Sequence, residues 1–123
     1  MSYKFATRLL LVLILLLFTG TQLPNIWRVN IANGLNAPVI LSWWSHFILF
    51  LVMACVATMQ PLAWRWRRVL FAASGLALIS EGLQFFTIDR HPRMLDVGID
   101  LAGALIGFAL VKIFIRYTKS QIL

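Results

Sequence analysis

Acidic residues and cysteine are both scarce in this chain, and each scarcity excludes a class of protein. Only four Asp and Glu residues stand against eleven Lys and Arg residues, which gives a formal net charge of +7. The single cysteine, Cys55, excludes a disulfide framework and a cysteine metal cluster. No basic segment is long enough to form a soluble nucleic-acid-binding face, so we expect no nucleic acid partner. The chain also lacks a glycine-rich phosphate loop and a serine–histidine–acid order.

Apolar residues dominate the composition. They make up 61% of the chain, and the mean hydropathy is +0.87. Four apolar stretches, at about residues 5–23, 41–59, 69–88 and 95–115, are each long enough to cross a bilayer core of about 30 Å as a helix of about 20 residues. Turn-forming residues separate the stretches, namely Pro24, Asn25, Asn33, Gly34, Asn36, Pro38, Pro61 and His91-Pro92. The sequence therefore predicts an all-α, polytopic integral membrane protein with four transmembrane helices in a single domain, 1–123.

The first stretch also has features of a signal peptide, because Lys4 and Arg8 precede an apolar run. The residues after that run, Thr19-Gly20-Thr21, follow Phe18 and make a poor cleavage site. We therefore expect the first helix to be retained.

The distribution of cations predicts the orientation in the membrane. Cytoplasmic loops carry an excess of Lys and Arg. Eight of the eleven cations would share one side of a four-helix topology, namely Lys4, Arg8, Arg65, Arg67, Arg68, Lys112, Arg116 and Lys119. The other side would hold Arg28, Arg90 and Arg93. Both termini are thus predicted to lie in the cytoplasm (N-in/C-in).

All four acids fall within residues 81–100, namely Glu81, Asp89, Asp96 and Asp100. A charged side chain at a helix centre in a bilayer costs about 2.5–3.5 kcal/mol on insertion scales, so ionisable residues there indicate a site. The predicted topology brings a histidine, a glutamine and two arginines to the same outer depth. Glu81 and Asp96 are the candidate catalytic residues if the protein is an enzyme. The candidate ligand-binding residues are His46, Gln84, Arg90, Arg93 and Asp100.

Helical spacing also predicts a packing face. Asp96 and Asp100 are four residues apart, and their stripe continues through Gly103 and Gly107, a small-xxx-small pattern that permits close helix approach. A matching thin face is expected on the third predicted helix, at Gly75 and Gly82.

The polar and glycine positions of the last two stretches form one pattern: Glu81-x-x-Gln84-x-Phe86, Arg90, Asp96, Asp100 and Gly103-Ala104-x-x-Gly107. This pattern resembles that of the VanZ-like membrane protein family, and His46-Phe47 is similar to that family's histidine in the second stretch. Two positions depart from it, because Ser42-Trp43 stands where the family has Asp-Lys and Asp100 where it has Asn. The resemblance implies a multi-pass protein of the bacterial cytoplasmic (inner) membrane. The family's namesake is associated with resistance to the glycopeptide antibiotic teicoplanin.

Four functions remain open at this stage. The first is recognition of an anionic lipid-linked or cell-wall-related group in the cell envelope, with Arg90 and Arg93 taking the anion. The second is an enzyme acting on a lipid phosphate or cell-wall precursor, with Glu81 as general base. The third is a small proton-coupled transporter, with Glu81 as the proton carrier. The fourth is a structural role, in which the polar residues link helices.

Membrane lipids are the expected surroundings, and a homo-oligomer is a further option. Glu81, Asp96, Asp100 and His46 would supply oxygen and nitrogen ligands suited to a divalent ion. Their spacing matches no known metal motif, so no metal is predicted, and the sequence identifies no cofactor.

Overall fold

The computed structural model of the chain describes residues 1–35, 40–87 and 91–122. Regular structure within these residues is entirely α-helical, which confirms the all-α part of the predicted fold class. The helices in chain order are α1 (Tyr3–Gln22), α2 (Asn25–Gly34), α3 (Ile40–Thr58), α4 (Trp66–Gln84) and α5 (Met94–Ile122).

Helix α2 occupies a segment that the sequence predicted as a connection without regular structure. Pro24 directly precedes this helix, and its carbonyl oxygen accepts hydrogen bonds from N–H groups of the first turn. Asn33 and Gly34 lie at the opposite end, where residues of this type commonly stop a helix. The turn-forming residues therefore mark the two ends of a helix instead of a loop. Asn36 and Pro38 lie outside the described residues.

The other four helices coincide with the four predicted stretches but differ at their ends. Helix α4 begins at Trp66 and ends at Gln84, whereas the prediction was 69–88; residues 85–87 form a turn and residue 88 lies outside the described part. Helix α5 continues through Arg116 and Lys119 to Ile122, beyond the predicted end at 115. Hydropathy indicates where a helix can contact lipid, whereas backbone hydrogen bonding continues through polar residues.

Two glycines bring α5 against the backbone of α3. A Cβ atom at Gly103 would overlap the carbonyl oxygen of Phe47, and one at Gly107 would overlap that of Leu51. The thiol of Cys55 on α3 also lies 3.5 Å from the carbonyl oxygen of Gly107. The predicted close-packing role of these glycines is confirmed. Of the helices that contact α5, α3 shares the most extensive contact with it.

The sequence predicted that Gly75 and Gly82 form the partner face for these glycines, and that prediction is wrong. A Cβ built on Gly75 or Gly82 of α4 would meet no atom within 4 Å. The prediction assumed that helices joined by a short connection pack most closely. Instead α5 makes its most extensive contact with α3, and Ala54 on α3 has a side chain small enough to admit Gly107.

The bundle has a core of small side chains and an apolar exterior. Leu17, Phe50 and Met53 are its larger core members, and the small ones are Ala54, Ala57, Ala73, Ala77 and Ala104. Large apolar side chains face outward; Phe71, for example, is 83% exposed. Within the described residues, two segments are long and apolar enough to cross a membrane, Tyr3–Gln22 and Met94–Gln121, and a shorter apolar segment spans Trp43–Thr58.

Arginine–tryptophan pairs mark the end of the bundle where α3 leads into α4. The Arg68 guanidinium lies 4.4 Å from the ring centroid of Trp64, and that of Arg67 lies 5.4 Å from the centroid of Trp66. Such pairs suit the boundary between lipid and water, because the ring is apolar at one end and the cation remains hydrated. The opposite end of the bundle carries the buried ionisable residues.

Candidate functional site

Five polar side chains from three helices meet at the end of the bundle where α4 leads into α5. We call them the polar cluster: His46 from α3, Glu81 and Gln84 from α4, and Asp96 and Asp100 from α5. Each is at most 7% exposed. Glu81 lies within Coulombic range of both His46 and Asp96, and Asp100 lies within range of Asp96. The structure thus brings together five of the seven site residues that the sequence suggested.

His46 and Asp100 form a direct link between α3 and α5. The Nδ1 atom of His46 lies 3.0 Å from Oδ1 of Asp100. Because a carboxylate only accepts hydrogen bonds, Nδ1–H donates in this pair. The second ring nitrogen, Nε2, is not used in that bond. Gly103, one turn along α5, permits the close approach that places the two side chains in reach of each other.

Glu81 is held by two hydrogen bonds. Its Oε1 accepts from Nε2 of Gln84 at 2.7 Å, and its Oε2 accepts from the backbone N–H of Arg93 at 2.9 Å. The carbonyl oxygen of Arg93 in turn accepts from the backbone N–H of Asp96 at 3.0 Å. Glu81 therefore ties the segment before α5 to α4 and sets where α5 begins.

Two carboxylate oxygens in the polar cluster are buried without a hydrogen-bond partner among the described residues. They are Oδ1 of Asp96 and Oδ2 of Asp100. Asp96 lies in the first turn of α5, where the helix dipole favours a negative charge. The dipole does not supply a donor to these oxygens, and a buried acceptor without one costs about 1–3 kcal/mol. The arrangement suits a ligand or water that donates hydrogen bonds.

Arg28 on α2 is a member of the site that sequence reasoning counted only as an outer cation. Its side chain is half-buried, and the charges of Asp96, Arg93 and Glu81 act on it. Burial lowers the pKa of the Arg28 guanidinium below its usual value, and the nearby Asp96 carboxylate opposes that shift. The signal that could have found it is the run of ten residues from Asn25 to Gly34 without an internal helix breaker.

The two arginines predicted to bind an anion are placed differently from each other. The Arg93 side chain is exposed, and its backbone N–H is what contacts the cluster. Arg90 lies outside the described residues, as does Asp89. His91 is exposed.

Helix α1 reaches the same end of the bundle through another pair of polar side chains. The Thr87 hydroxyl donates to Oε1 of Gln22 at 2.6 Å, which connects the last turn of α1 to the segment after α4. No sequence motif indicated this contact, since both residues lie in apolar surroundings without helical spacing to the cluster.

A polar cavity of about 120 Å³ lies between α1, α2 and α3. Its polar lining comes from Thr21, Arg28, Ser45 and His46, and leucines of α1 and α3 complete the wall. His46 therefore borders the cavity and binds Asp100. A second cavity, of about 90 Å³, is lined by apolar side chains and lies between α1, α3, α4 and α5.

In the part of the chain that the structure describes, no group of three or more His, Cys, Asp or Glu side chains is arranged to hold a metal ion. The chemistry available to the site is hydrogen bonding, charge pairing and proton transfer through His46.

Comparison with known proteins adds a family to this geometry. Residues 5–115 match the family model described as VanZ/LLP1, and the matched region includes every residue of the polar cluster and Arg28. Neither the curated proteins nor the solved structures contain a match to the chain.

Proposed function

Because the chain belongs to the VanZ/LLP1 family, as its motifs predicted, we propose that it is a multi-pass protein of the bacterial cytoplasmic (inner) membrane with its polar cluster at the outer face. There it recognises an anionic lipid-linked or cell-wall-related group. Through this recognition it contributes to resistance against glycopeptides such as teicoplanin.

Helix lengths and charges support four membrane crossings with both termini inside. α1 and α5 meet the length and hydropathy expected of a spanning helix. α3 and α4 have 19 residues each, and a helix of that length is about 28 Å long. The cation-rich segments lie at the end of the bundle opposite the polar cluster, as expected for a cytoplasmic side.

The observation that carries the recognition role is the pair of buried carboxylate oxygens on Asp96 and Asp100 that lack a hydrogen-bond partner among the described residues; they would accept from hydroxyl or amide groups of the ligand, while a cation at the same end of the bundle takes its anion. Polar side chains that only link helices satisfy one another, because an unpaired buried group is costly. His46, Glu81 and Gln84 are linked in that way, whereas Asp96 and Asp100 retain acceptor capacity for a further group.

A membrane enzyme acting on a lipid phosphate or cell-wall precursor is the second candidate, and the His46–Asp100 pair favours it. A histidine whose Nδ1–H is held by a carboxylate has the arrangement of a general base. Glu81 is less suited to that role than the sequence suggested, since both its oxygens accept hydrogen bonds. The same two bonds disfavour Glu81 as the proton carrier of a transporter.

Complementation of a strain deleted for this protein tests the proposal. We expect Asp96→Asn to reach the membrane at the wild-type level but to fail to restore teicoplanin tolerance and other envelope phenotypes. The substitution removes a charge while keeping the side chain's shape, and no described hydrogen bond to Oδ1 is lost. Lys119→Gln, at an exposed position of the same helix, is the matched control and is expected to complement. Full complementation by Asp96→Asn would contradict the recognition role.

A further inference from the structure

We propose that the polar cavity between α1, α2 and α3 binds the phosphate group of a lipid, and that Arg28 and His46 are the residues that hold it. This inference rests on the proposed function, because it identifies the anion, the pocket and the binding residues of that recognition step. It assigns the anion to α2 and α3 instead of to the arginines before α5.

The polar wall of the cavity is rich in hydrogen-bond donors. Arg28 contributes a guanidinium group, His46 an imidazole and Ser45 a hydroxyl group, whereas the Thr21 hydroxyl already donates to the carbonyl oxygen of Phe18 at 3.1 Å. Among the described residues that line the cavity, none carries a carboxylate, so the acids of the polar cluster lie behind His46. A pocket lined by donors and a cation selects an acceptor-rich anion, and a guanidinium group matches two phosphate oxygens as a fork.

The acids of the polar cluster stabilise the binding residues instead of repelling the ligand directly. Asp100 holds Nδ1 of His46 at 3.0 Å, which fixes the ring and leaves Nε2 for another partner. Asp96 and Glu81 lie within Coulombic range of Arg28 and help to keep the half-buried guanidinium charged and in place. Arg93 is also within that range and adds a second positive charge at this end of the bundle.

The dimensions and walls of the cavity favour a phosphate that belongs to a lipid. A cavity needs roughly 10–15 Å³ to hold one water molecule, so about 120 Å³ admits a tetrahedral phosphate group. Leu16 lines the cavity and is also 55% exposed on α1, so the cavity meets the lipid-facing surface of that helix. A phosphate bound beside Arg28 would therefore have its acyl chains along α1, whereas free phosphate gains nothing from that surface.

Lipid binding to the full chain in phosphatidylcholine nanodiscs tests the inference. The probe is short-chain phosphatidic acid, with a diacylglycerol of the same chains and inorganic phosphate as comparison arms, and native mass spectrometry measures the bound fraction. We expect the wild-type protein to bind phosphatidic acid in preference to both other probes. Equal binding of the diacylglycerol would overturn the assignment of a phosphate site, and competition by inorganic phosphate at equal affinity would overturn the lipid source.

Substitution of Arg28 tests which residue takes the phosphate. Arg28→Gln is expected to weaken phosphatidic acid binding by about tenfold or more, because a hydrogen bond to a charged group is lost. Arg28→Lys keeps the charge but not the fork and is expected to bind with intermediate affinity. Arg8→Gln removes the same charge from an exposed position of α1 and is expected to bind as the wild type does.

The outcomes separate this inference from the proposed function. Wild-type binding by Arg28→Gln would overturn the phosphate site, even if Asp96→Asn fails to complement and the recognition role stands. Weakened binding by Arg28→Gln, together with full complementation by Asp96→Asn, would support the phosphate site and contradict the role proposed for the acids.

Discussion

Asp100 is completely buried and bonded to His46, and its position shows how single residues determine the site. Its Oδ1 accepts from the imidazole and its Oδ2 has no partner among the described residues. One carboxylate therefore connects two helices and retains an acceptor for a ligand. At the position where the family pattern has Asn, this chain has a carboxyl group that pairs with histidine.

Removal of His46 is predicted to destabilise the protein through Asp100. His46→Ala leaves a buried carboxylate without its donor, so we expect the free energy of unfolding to fall by about 1–3 kcal/mol. A double-mutant cycle with Asp100→Ala should give a coupling of about 0.6 kcal/mol and at most about 1.7 kcal/mol, the range that such cycles give for interhelical hydrogen bonds in membranes. Unfolding by SDS in detergent micelles measures both quantities, with His91→Ala at an exposed position as control. A coupling near zero would show that the pair does not link α3 to α5.

Residue identity predicted most of the polar cluster, and the reason is helical spacing. Glu81 and Gln84 are three residues apart, and Asp96 and Asp100 are four apart, so each pair must share a helix face. Arg28 was not predicted as a site residue, because helix α2, which carries it, was not predicted. Which carboxylate oxygen finds a donor likewise depends on tertiary distances that no spacing encodes.

At the scale of helices, the close contact of α3 and α5 positions the site. Gly103 and Gly107 let the two backbones approach, and His46 and Asp100 lie at one end of the same contact. A wider separation would take the imidazole out of reach of the carboxylate. Packing of the glycines and formation of the polar pair are therefore expected to depend on each other.

Gly103→Ala is predicted to destabilise the bundle. The new methyl group would overlap the carbonyl oxygen of Phe47, and overpacking of this kind costs about 1–3 kcal/mol. Gly98→Ala on the same helix is the matched control, because a Cβ there would meet nothing within 4 Å. Alanine favours a helix over glycine by about 0.5–1 kcal/mol, so the control should be unchanged or slightly more stable. Equal stability of the two variants, measured by thermal unfolding in detergent, would contradict close packing at Gly103.

Sequence patterns predicted four of the helices but neither α2 nor the partner of the glycine face. Apolar length is the signal for a spanning helix, and α2 contains Asn and Arg in a ten-residue segment that this signal does not detect. The small-xxx-small pattern showed that one face of α5 permits close approach of another helix. It did not show which helix packs there. That choice depends on the tertiary packing of the helices, in which α5 lies most extensively against α3.

At the scale of the whole molecule, the bundle has two chemically different ends. Trp64, Trp66 and their arginines lie at the end between α3 and α4, where most Lys and Arg residues are also found. The polar cluster lies at the other end, with Arg28 and the cavity beside it. Between the ends the exterior is apolar. This asymmetry supports an orientation with the cluster outside and both termini inside.

The central claim is that the polar cluster opens at the outer face, and thiol labelling of intact spheroplasts tests it most directly. The endogenous thiol is first removed by Cys55→Ser. Single cysteines are then introduced near the cluster by His91→Cys or Asn30→Cys, and at the opposite end by Gln60→Cys or Ser120→Cys. All four positions are exposed. A membrane-impermeant maleimide should label the first two in intact cells and the last two only after permeabilisation. Labelling of Gln60→Cys or Ser120→Cys in intact cells, with His91→Cys protected until permeabilisation, would contradict an outer-facing recognition site.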